Sequence, residues 1–187
     1  GQLGLGDSGT INDRSSPVQV GASSWTAVAA NIQNTGVSLA IRTDGAIFSW
    51  GYNSQGHLGL GDTIARSSPV QVGTGTNWRK VYVSYGGMAA IKTDGTLWGW
   101  GSENYGEIGL GTQYGTYYSP NQIGSLTSWK QVAAGSVINS SVVFAIKTDG
   151  TLWGWGNQAG SSSLGDGTTV NKSSPVQIGL LTNWKYI

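Results

Sequence analysis

The feature that most constrains the fold of this 187-residue chain is a phrase that returns about every 52 residues. Its clearest copies read Ser-Ser-Pro-Val-Gln, and its prolines, Pro17, Pro69, Pro120 and Pro175, are 52, 51 and 55 residues apart. A tryptophan, a Thr-Asp-Gly turn, a Trp-Gly pair and a glycine-rich phrase follow the first three copies in the same order. Because several landmarks keep one period, the sequence predicts a repeat architecture in which each unit packs against its neighbours.

Each unit predicts short β-strands and no helix. In the first unit, residues 40–43 and 46–50 are strand candidates joined by Asp-Gly at 44–45, and Asp-Gly is a strong signal for a two-residue hairpin turn. Residues 18–20 and 25–29 add two further candidates. The pattern returns in later units, so each unit holds about four strands, which is typical of a β-propeller blade.

The nine tryptophans all fall in repeat columns, and we therefore expect them to pack in the core of the blades. Trp98 and Trp100 are two residues apart, which places both on one face of a strand. Gly99 between them leaves the other face bare, and we expect a neighbouring sheet to pack closely there.

The wording of the units resembles a known repeat family. Ala-Ile-Lys-Thr-Asp-Gly-Thr-Leu-Trp-Gly-Trp-Gly at 90–101 and 145–156, with Gly-His-Leu-Gly-Leu-Gly-Asp at 56–62, is similar to the regulator of chromosome condensation repeat. The resemblance covers essentially the whole chain. It implies an all-β propeller, typically of seven blades, with a protein-binding or scaffolding role in most members. The family often has a histidine three residues before the Ala-Ile pair, and these positions hold Val37, Gly87 and Val142 here.

Residues 1–187 are expected to form a single partial propeller domain with about three and a half repeats. Seven blades of this length need roughly 364 residues, so the chain supplies about half a ring. We expect that the chain is a fragment of a longer protein, with the remaining blades outside it, or that several copies combine to close the ring.

The charged residues follow the repeat as well. Ten Lys and Arg against nine Asp and Glu leave a net charge of +1, which argues against nucleic acid as a partner. Nine of the cations and six of the acids recur in columns, so we expect turn formers and ion pairs within a blade. Little charge then remains for a catalytic site.

Specific chemistries find little support in the sequence. Cysteine is absent, and the longest apolar run, 142–146, is too short to span a bilayer. Residues 4–9 match the dinucleotide fingerprint Gly-x-Gly-x-x-Gly, but no strand-turn-helix pattern surrounds them. The single histidine, His57, occupies a column that varies between units, so we expect it on an exposed turn. We predict no enzymatic activity, no metal site, no cofactor and no membrane insertion.

Residues that depart from the repeat are the candidates for a partner site. They concentrate between Ser102 and Tyr118, where Tyr117 replaces a cation and Thr112 replaces an aspartate. Loops near 31–36 and 136–141 are also extended. Tyrosine gives a large contact area at a low entropy cost. Drift on a tolerant loop is the alternative explanation. The predicted partner-binding residues are Tyr82, Tyr85, Glu103, Tyr105, Glu107, Tyr114, Tyr117 and Tyr118.

Three functions are compatible with these features. The first is a non-enzymatic propeller that docks a protein or surface macromolecule through variable loops. The second is a structural or receptor-binding domain of a phage virion or a bacterial surface protein. The third is guanine-nucleotide exchange, which the founding family member performs on a small GTPase, or enzyme inhibition by protein contact. Cytoplasmic, extracellular and virion-associated locations are all compatible with the sequence.

Overall fold

A computed structural model describes residues 1–7, 14–31, 36–84, 86–137, 140–158 and 163–187, with the backbone alone at 136, 137, 140 and 141. Throughout these residues the regular structure is β-strand. Three sheets follow one another along the chain, and each contains four antiparallel strands paired in sequence order. The predicted all-β architecture of four-stranded units is confirmed.

Each sheet is one propeller blade, which begins at the tryptophan after one proline phrase and ends within the next. Blade 1 consists of β1 (Trp25–Asn31), β2 (Val37–Arg42), β3 (Ile47–Gly51) and β4 (Arg66–Gln71). Blade 2 consists of β5 (Trp78–Val83), β6 (Gly87–Lys92), β7 (Leu97–Glu103) and β8 (Gly115–Gln122). Blade 3 consists of β9 (Trp129–Val137), β10 (Ser140–Lys147), β11 (Leu152–Gly156) and β12 (Lys172–Gln177).

The two ends of the chain hold parts of further units. Residues 15–20, the first copy of the proline phrase, form no strand, so the prediction for 18–20 is wrong. The other copies form β4, β8 and β12 because each pairs with the third strand of its blade, and the described residues before Trp25 contain no such partner. Trp184 follows blade 3 and is 38% exposed. The prediction of core packing is therefore wrong for this tryptophan, which no described sheet covers.

The hairpin between β2 and β3 turns on three residues, not on the predicted two. The Gly45 amide donates to the Arg42 carbonyl at 2.8 Å, and the Arg42 amide donates to the Ala46 carbonyl at 2.9 Å. Gly45 alone in this turn has a positive φ, +84°, as in a type I turn followed by a left-handed residue. A Cβ at Gly45 would also overlap the Thr76 carbonyl, so both the turn and the approach of the next blade require glycine.

The hydrophobic cores lie between blades, one joining blades 1 and 2 and the other joining blades 2 and 3. Trp78 packs edge-on against Trp98 and Trp100, with ring centroids 6.0 and 6.4 Å apart, so these two tryptophans share a face as predicted. The opposite face at Gly99 is covered by Ile108 of the same unit, and a Cβ there would lie 2.8 Å from Ile108 Cγ2. The neighbouring sheet, blade 3, packs on this face through Leu97, as predicted, but at Gly99 itself Ile108 fills the space.

The glycine-rich phrase of one unit holds the next blade. Trp100 Nε1 donates to the His57 carbonyl at 3.0 Å, and Trp155 Nε1 donates to the Glu107 carbonyl at 3.0 Å. A Cβ at Gly59 would lie 2.7 Å from Trp100 Nε1, so the approach of the loop to the indole requires glycine. We call these phrases latches; they comprise residues 1–7, 56–62 and 106–112.

Candidate functional site

Five of the nine periodic cations form ion pairs inside the repeat, as predicted. Beside the outer loops of blades 1 and 3, Arg66 pairs with Asp62 at 2.6 Å and Lys172 pairs with Asp166 at 3.2 Å. Such partly exposed pairs contribute about 0–1 kcal/mol each. Their recurrence makes them part of the blade architecture. The further pairs are Arg14–Asp7, Arg42–Asp44 and Lys147–Asp149.

Blade 2 replaces the loop ion pair by two hydroxyl groups. Tyr117 occupies the position of the cation and Thr112 the position of the aspartate. Thr112 Oγ1 and Tyr117 Oη lie 2.6 Å apart, within hydrogen-bond distance. The two departures from the repeat therefore compensate each other, and Tyr117, partly buried against the core between blades 1 and 2, has a structural contact.

Glu103 is the second departure in blade 2, and it is buried. Its column holds Asn53 and Gln158, whose amide nitrogens donate to the Ile64 carbonyl at 3.1 Å and to the Val170 carbonyl at 2.8 Å. A carboxylate cannot donate in this way, and Glu103 Oε2 instead accepts a hydrogen bond from Thr112 Oγ1 at 2.7 Å. Burial raises the pKa of Glu103, and the Thr112 hydrogen bond opposes that rise. Glu103 has no exposed surface, so it cannot touch a partner directly.

The outer hairpin of blade 2 is longer than its counterparts. The β7–β8 ladder continues through the pairs Ser102–Thr116 and Glu103–Gly115, whereas β3 and β11 end at Gly51 and Gly156. The backbone ladder thus replaces the side-chain amide that ties the loop in the other blades. Residues 104–114, which we call the β7–β8 loop, connect the two strands of this hairpin and include the latch 106–112, which packs against blade 3.

Two tyrosines of the β7–β8 loop form an exposed aromatic pair. Tyr105 and Tyr114 are 39% and 74% exposed, and their ring centroids lie 6.2 Å apart at an interplanar angle of 62°. Tyr114 has a φ of +66° and is the one non-glycine residue with positive φ in the described part of the chain. That conformation costs an L-residue about 1–2 kcal/mol.

The carboxylate of Glu107 binds the backbone next to this aromatic pair. Glu107 Oε2 accepts hydrogen bonds from the amides of Asn104 at 3.1 Å and Tyr105 at 2.8 Å. These bonds fix the backbone that carries Tyr105 and hold the half-buried carboxylate beside it. The structure therefore brings together three of the predicted site residues, Tyr105, Glu107 and Tyr114.

The other predicted residues lie elsewhere. Tyr118 is 44% exposed and packs against the latch of blade 1, where a Cβ at Gly56 would lie 2.8 Å from Tyr118 Cδ1. Tyr82 packs against the core between blades 2 and 3, and burial raises its pKa, so it does not belong to the exposed pair. Tyr85 and residues 32–35 of the first extended loop lie outside the described residues. The loop predicted near 136–141 is mostly strand instead, because β9 and β10 continue to pair through Ser136–Ser141 and Val137–Ser140.

His57 is fully buried, so the prediction of an exposed turn is wrong. Its carbonyl accepts the hydrogen bond of Trp100, and both ring nitrogens are buried without a hydrogen-bond partner in the described part of the chain. Burial lowers the pKa of His57 to about 4. Because the latch uses the backbone carbonyl, the side chain in this column is free to vary between units.

Other kinds of site find no support in the described ranges. Those residues contain no group of three His, Asp or Glu that could hold a metal ion. They also contain no helix long and apolar enough to cross a bilayer. The cavity between blades 2 and 3, lined in part by Tyr82 and Glu107, has a volume of about 10 Å³, which is room for about one water molecule.

Comparison with known proteins identifies the repeat. The sequence profile of the regulator of chromosome condensation (RCC1) repeat matches residues 44–91 and 94–139. The ultraviolet-B receptor UVR8 of Arabidopsis thaliana is 29% identical over 198 residues, which cover 95% of this chain and 39% of the receptor.

Solved structures show the same fold. Human WBSCR16 superposes with a TM-score of 0.75 at 25% identity, covering 96% of this chain and 46% of that protein. Prp20p of Saccharomyces cerevisiae, a protein with binding properties to Gsp1p and histones, superposes with a TM-score of 0.68 at 20% identity. That match covers 77% of this chain and 36% of Prp20p. The chain thus spans less than half the length of each of these proteins.

Proposed function

Because the chain belongs to the regulator of chromosome condensation (RCC1) repeat family, we propose that it is a non-enzymatic binding module whose β7–β8 loop docks a protein partner. Prp20p, which shares the fold, has binding properties to Gsp1p and histones. A propeller of this kind can therefore present a protein-binding surface.

The exposed Tyr105–Tyr114 pair is the observation that carries the proposal. Elsewhere in the described residues, the tryptophans and most of the charges recur from blade to blade, and most of them have contacts within the repeat. The β7–β8 loop departs from that pattern in its hairpin length, its charge and its turn conformation. Binding residues often lie on variable loops that a rigid scaffold holds in place, and the β7–β8 loop is a variable loop on regular blades.

The loop is built to bind without much reordering. Two hydrogen bonds to Glu107 and an extended strand ladder hold it, which lowers the conformational entropy lost on association. Tyrosine rings add contact area with only two side-chain torsions to fix. With a net charge of +1, long-range steering is weak, so affinity depends on the contacts of the loop.

The experiment compares the proteins retained by three forms of the tagged chain from an extract of its source organism. The test variant is Tyr105→Gln/Tyr114→Gly, since Gln55 stands in the Tyr105 column and glycine suits the left-handed turn. The control variant is Tyr52→Ser/Tyr186→Ser, which removes two tyrosines that are 45% and 79% exposed elsewhere. We expect a partner that the unchanged chain and the control retain and the test variant loses about tenfold or more. Equal retention by all three forms would refute docking by this loop.

The alternatives gain nothing specific from the structure. The relatives reported above come from a plant, human and yeast, and they lend no support to a phage virion or a bacterial surface. Four expectations from the sequence stay predictions. They are guanine-nucleotide exchange, enzyme inhibition, the exclusion of nucleic acid, and the completion of the ring by further blades or copies.

A further inference from the structure

The outer hairpin of blade 2, residues 97–122, contains two carboxylates, Glu103 and Glu107, and no Lys or Arg. The equivalent loops of blades 1 and 3 each match one aspartate with one cation. Those two cations, Arg66 and Lys172, are held by their own aspartates at 2.6 and 3.2 Å. The β7–β8 loop therefore carries one carboxylate, Glu107, and no cation of its own, although the whole chain has a net charge of +1.

One carboxylate oxygen of this loop remains available. Glu107 Oε2 accepts the amides of Asn104 and Tyr105. Glu107 Oε1 takes no hydrogen bond from any residue that the structure describes, and it is not sealed from solvent. The same carboxylate accepts the hydrogen bond of the Tyr105 amide, so it lies close to the Tyr105 side chain. The ring of Tyr114 packs edge-on against the ring of Tyr105.

We propose that Tyr105, Tyr114 and Glu107 form a receptor for an arginine side chain in a basic segment of the partner protein. The inference rests on the proposed docking function and specifies what the loop recognises. A guanidinium group stacks on the face of a tyrosine within about 6 Å of the ring centroid. Its N–H groups donate to a carboxylate, for which Glu107 Oε1 supplies the acceptor.

Arginine fits this receptor better than lysine does. The guanidinium group is planar and weakly hydrated, so it can stack on a ring and hydrogen-bond to a carboxylate at the same time. Lysine offers a strongly hydrated point charge with no stacking surface. An acidic segment would meet Glu107 without a compensating cation, which costs free energy.

The test measures the affinity of dye-labelled peptides for the 187-residue chain by fluorescence anisotropy. The probes are repeats of Arg-Gly-Ser and matched repeats of Lys-Gly-Ser, Gln-Gly-Ser and Glu-Gly-Ser, at low and at physiological salt. We expect the arginine peptide to bind most tightly, the lysine peptide more weakly, and the glutamine and glutamate peptides at least about tenfold more weakly than the arginine peptide.

Two variants with a matched control locate the binding. Glu107→Gln keeps a carbonyl oxygen for the Tyr105 amide, and glutamine already stands in this column at Gln2. We expect this substitution to weaken the binding of the arginine peptide about tenfold, and we expect the same of Tyr105→Gln/Tyr114→Gly. Asp44→Asn makes the same change in charge on an exposed turn of blade 1. We expect it to leave the affinity unchanged.

Several results would overturn the inference. Equal affinity of the arginine and glutamine peptides would exclude a cation receptor. Equal effects of Glu107→Gln and Asp44→Asn would show that only the overall charge matters. Tyrosine-dependent binding of the glutamate peptide, or of maltohexaose as a carbohydrate probe, would assign the loop to another class of ligand. In each case, the retention experiment decides separately whether the loop docks a protein.

Discussion

Replacing Gly59 by alanine tests whether the latches hold the blades together. Gly59 has a φ of +69°, where an L-residue costs about 1–2 kcal/mol. The new Cβ would lie 2.7 Å from Trp100 Nε1, so the indole must move. That movement breaks its buried 3.0 Å hydrogen bond to the His57 carbonyl, at a further cost of about 1–3 kcal/mol. The expected loss in the free energy of unfolding is therefore about 2–5 kcal/mol.

Gly165→Ala is the matched control because Gly165, like Gly59, directly follows the buried leucine of its loop, Leu164 in blade 3 and Leu58 in blade 1. Its φ is +70°, and a Cβ there meets nothing within 4 Å. Only the cost of the left-handed conformation remains, about 1–2 kcal/mol. The gain from reducing the entropy of the unfolded chain is common to both variants and cancels. Gly59→Ala should therefore be less stable than Gly165→Ala by about 1–3 kcal/mol.

The assay is urea unfolding followed by tryptophan fluorescence, with thermal unfolding as a second measure. For a chain of this size, each kcal/mol corresponds to about 2–4 °C in Tm. Equal losses in the two variants would show that the contact with Trp100 contributes nothing. The latch would then be a turn that happens to lie against the next blade.

Two further predictions concern the buried titratable groups. Burial lowers the pKa of His57 to about 4 from 6.5, so stability should fall as the pH drops from about 6.5 towards 4. His57→Gln should remove that fall in urea unfolding at a series of pH values; an unchanged profile would contradict burial of a neutral imidazole. Glu103 acts in the opposite direction: burial raises its pKa, so its contribution to stability is fully present below its unfolded pKa and is lost as the pH rises through the folded pKa. Glu103→Gln should stabilise the chain at pH 7 by on the order of 1 kcal/mol, with no gain at low pH, and a loss at pH 7 would refute this.

The blades could be predicted from the sequence because their determinants are local and repeated. Paired changes in the sequence also have a structural reason. In blade 2, Trp98 Nε1 donates to Thr96 Oγ1 at 2.8 Å. Blade 1 has Phe48 and Ala46 at these positions, so it lacks both the donor and the acceptor. Such pairs indicate packing within one unit, which a comparison of columns can detect.

The burial of His57 could not be predicted because a variable column suggests exposure. The contact that fixes this position uses the backbone carbonyl, and a carbonyl is the same in every residue type. The burial of Glu103 could not be predicted for a related reason, since a charged residue that departs from the repeat suggests an exposed binding site. Its column is buried in all three blades and places a hydrogen-bonding group inside the outer loop.

Hydrogen–deuterium exchange of the chain, alone and with the partner recovered in the retention experiment, tests the docking proposal most directly. The exposed Tyr105–Tyr114 loop and its support by Glu107 predict that the partner slows exchange most strongly within residues 104–114. Exchange in the equivalent loops of blades 1 and 3 should be nearly unchanged. Protection spread equally over all three loops, or confined to another part of the chain, would contradict docking by the β7–β8 loop.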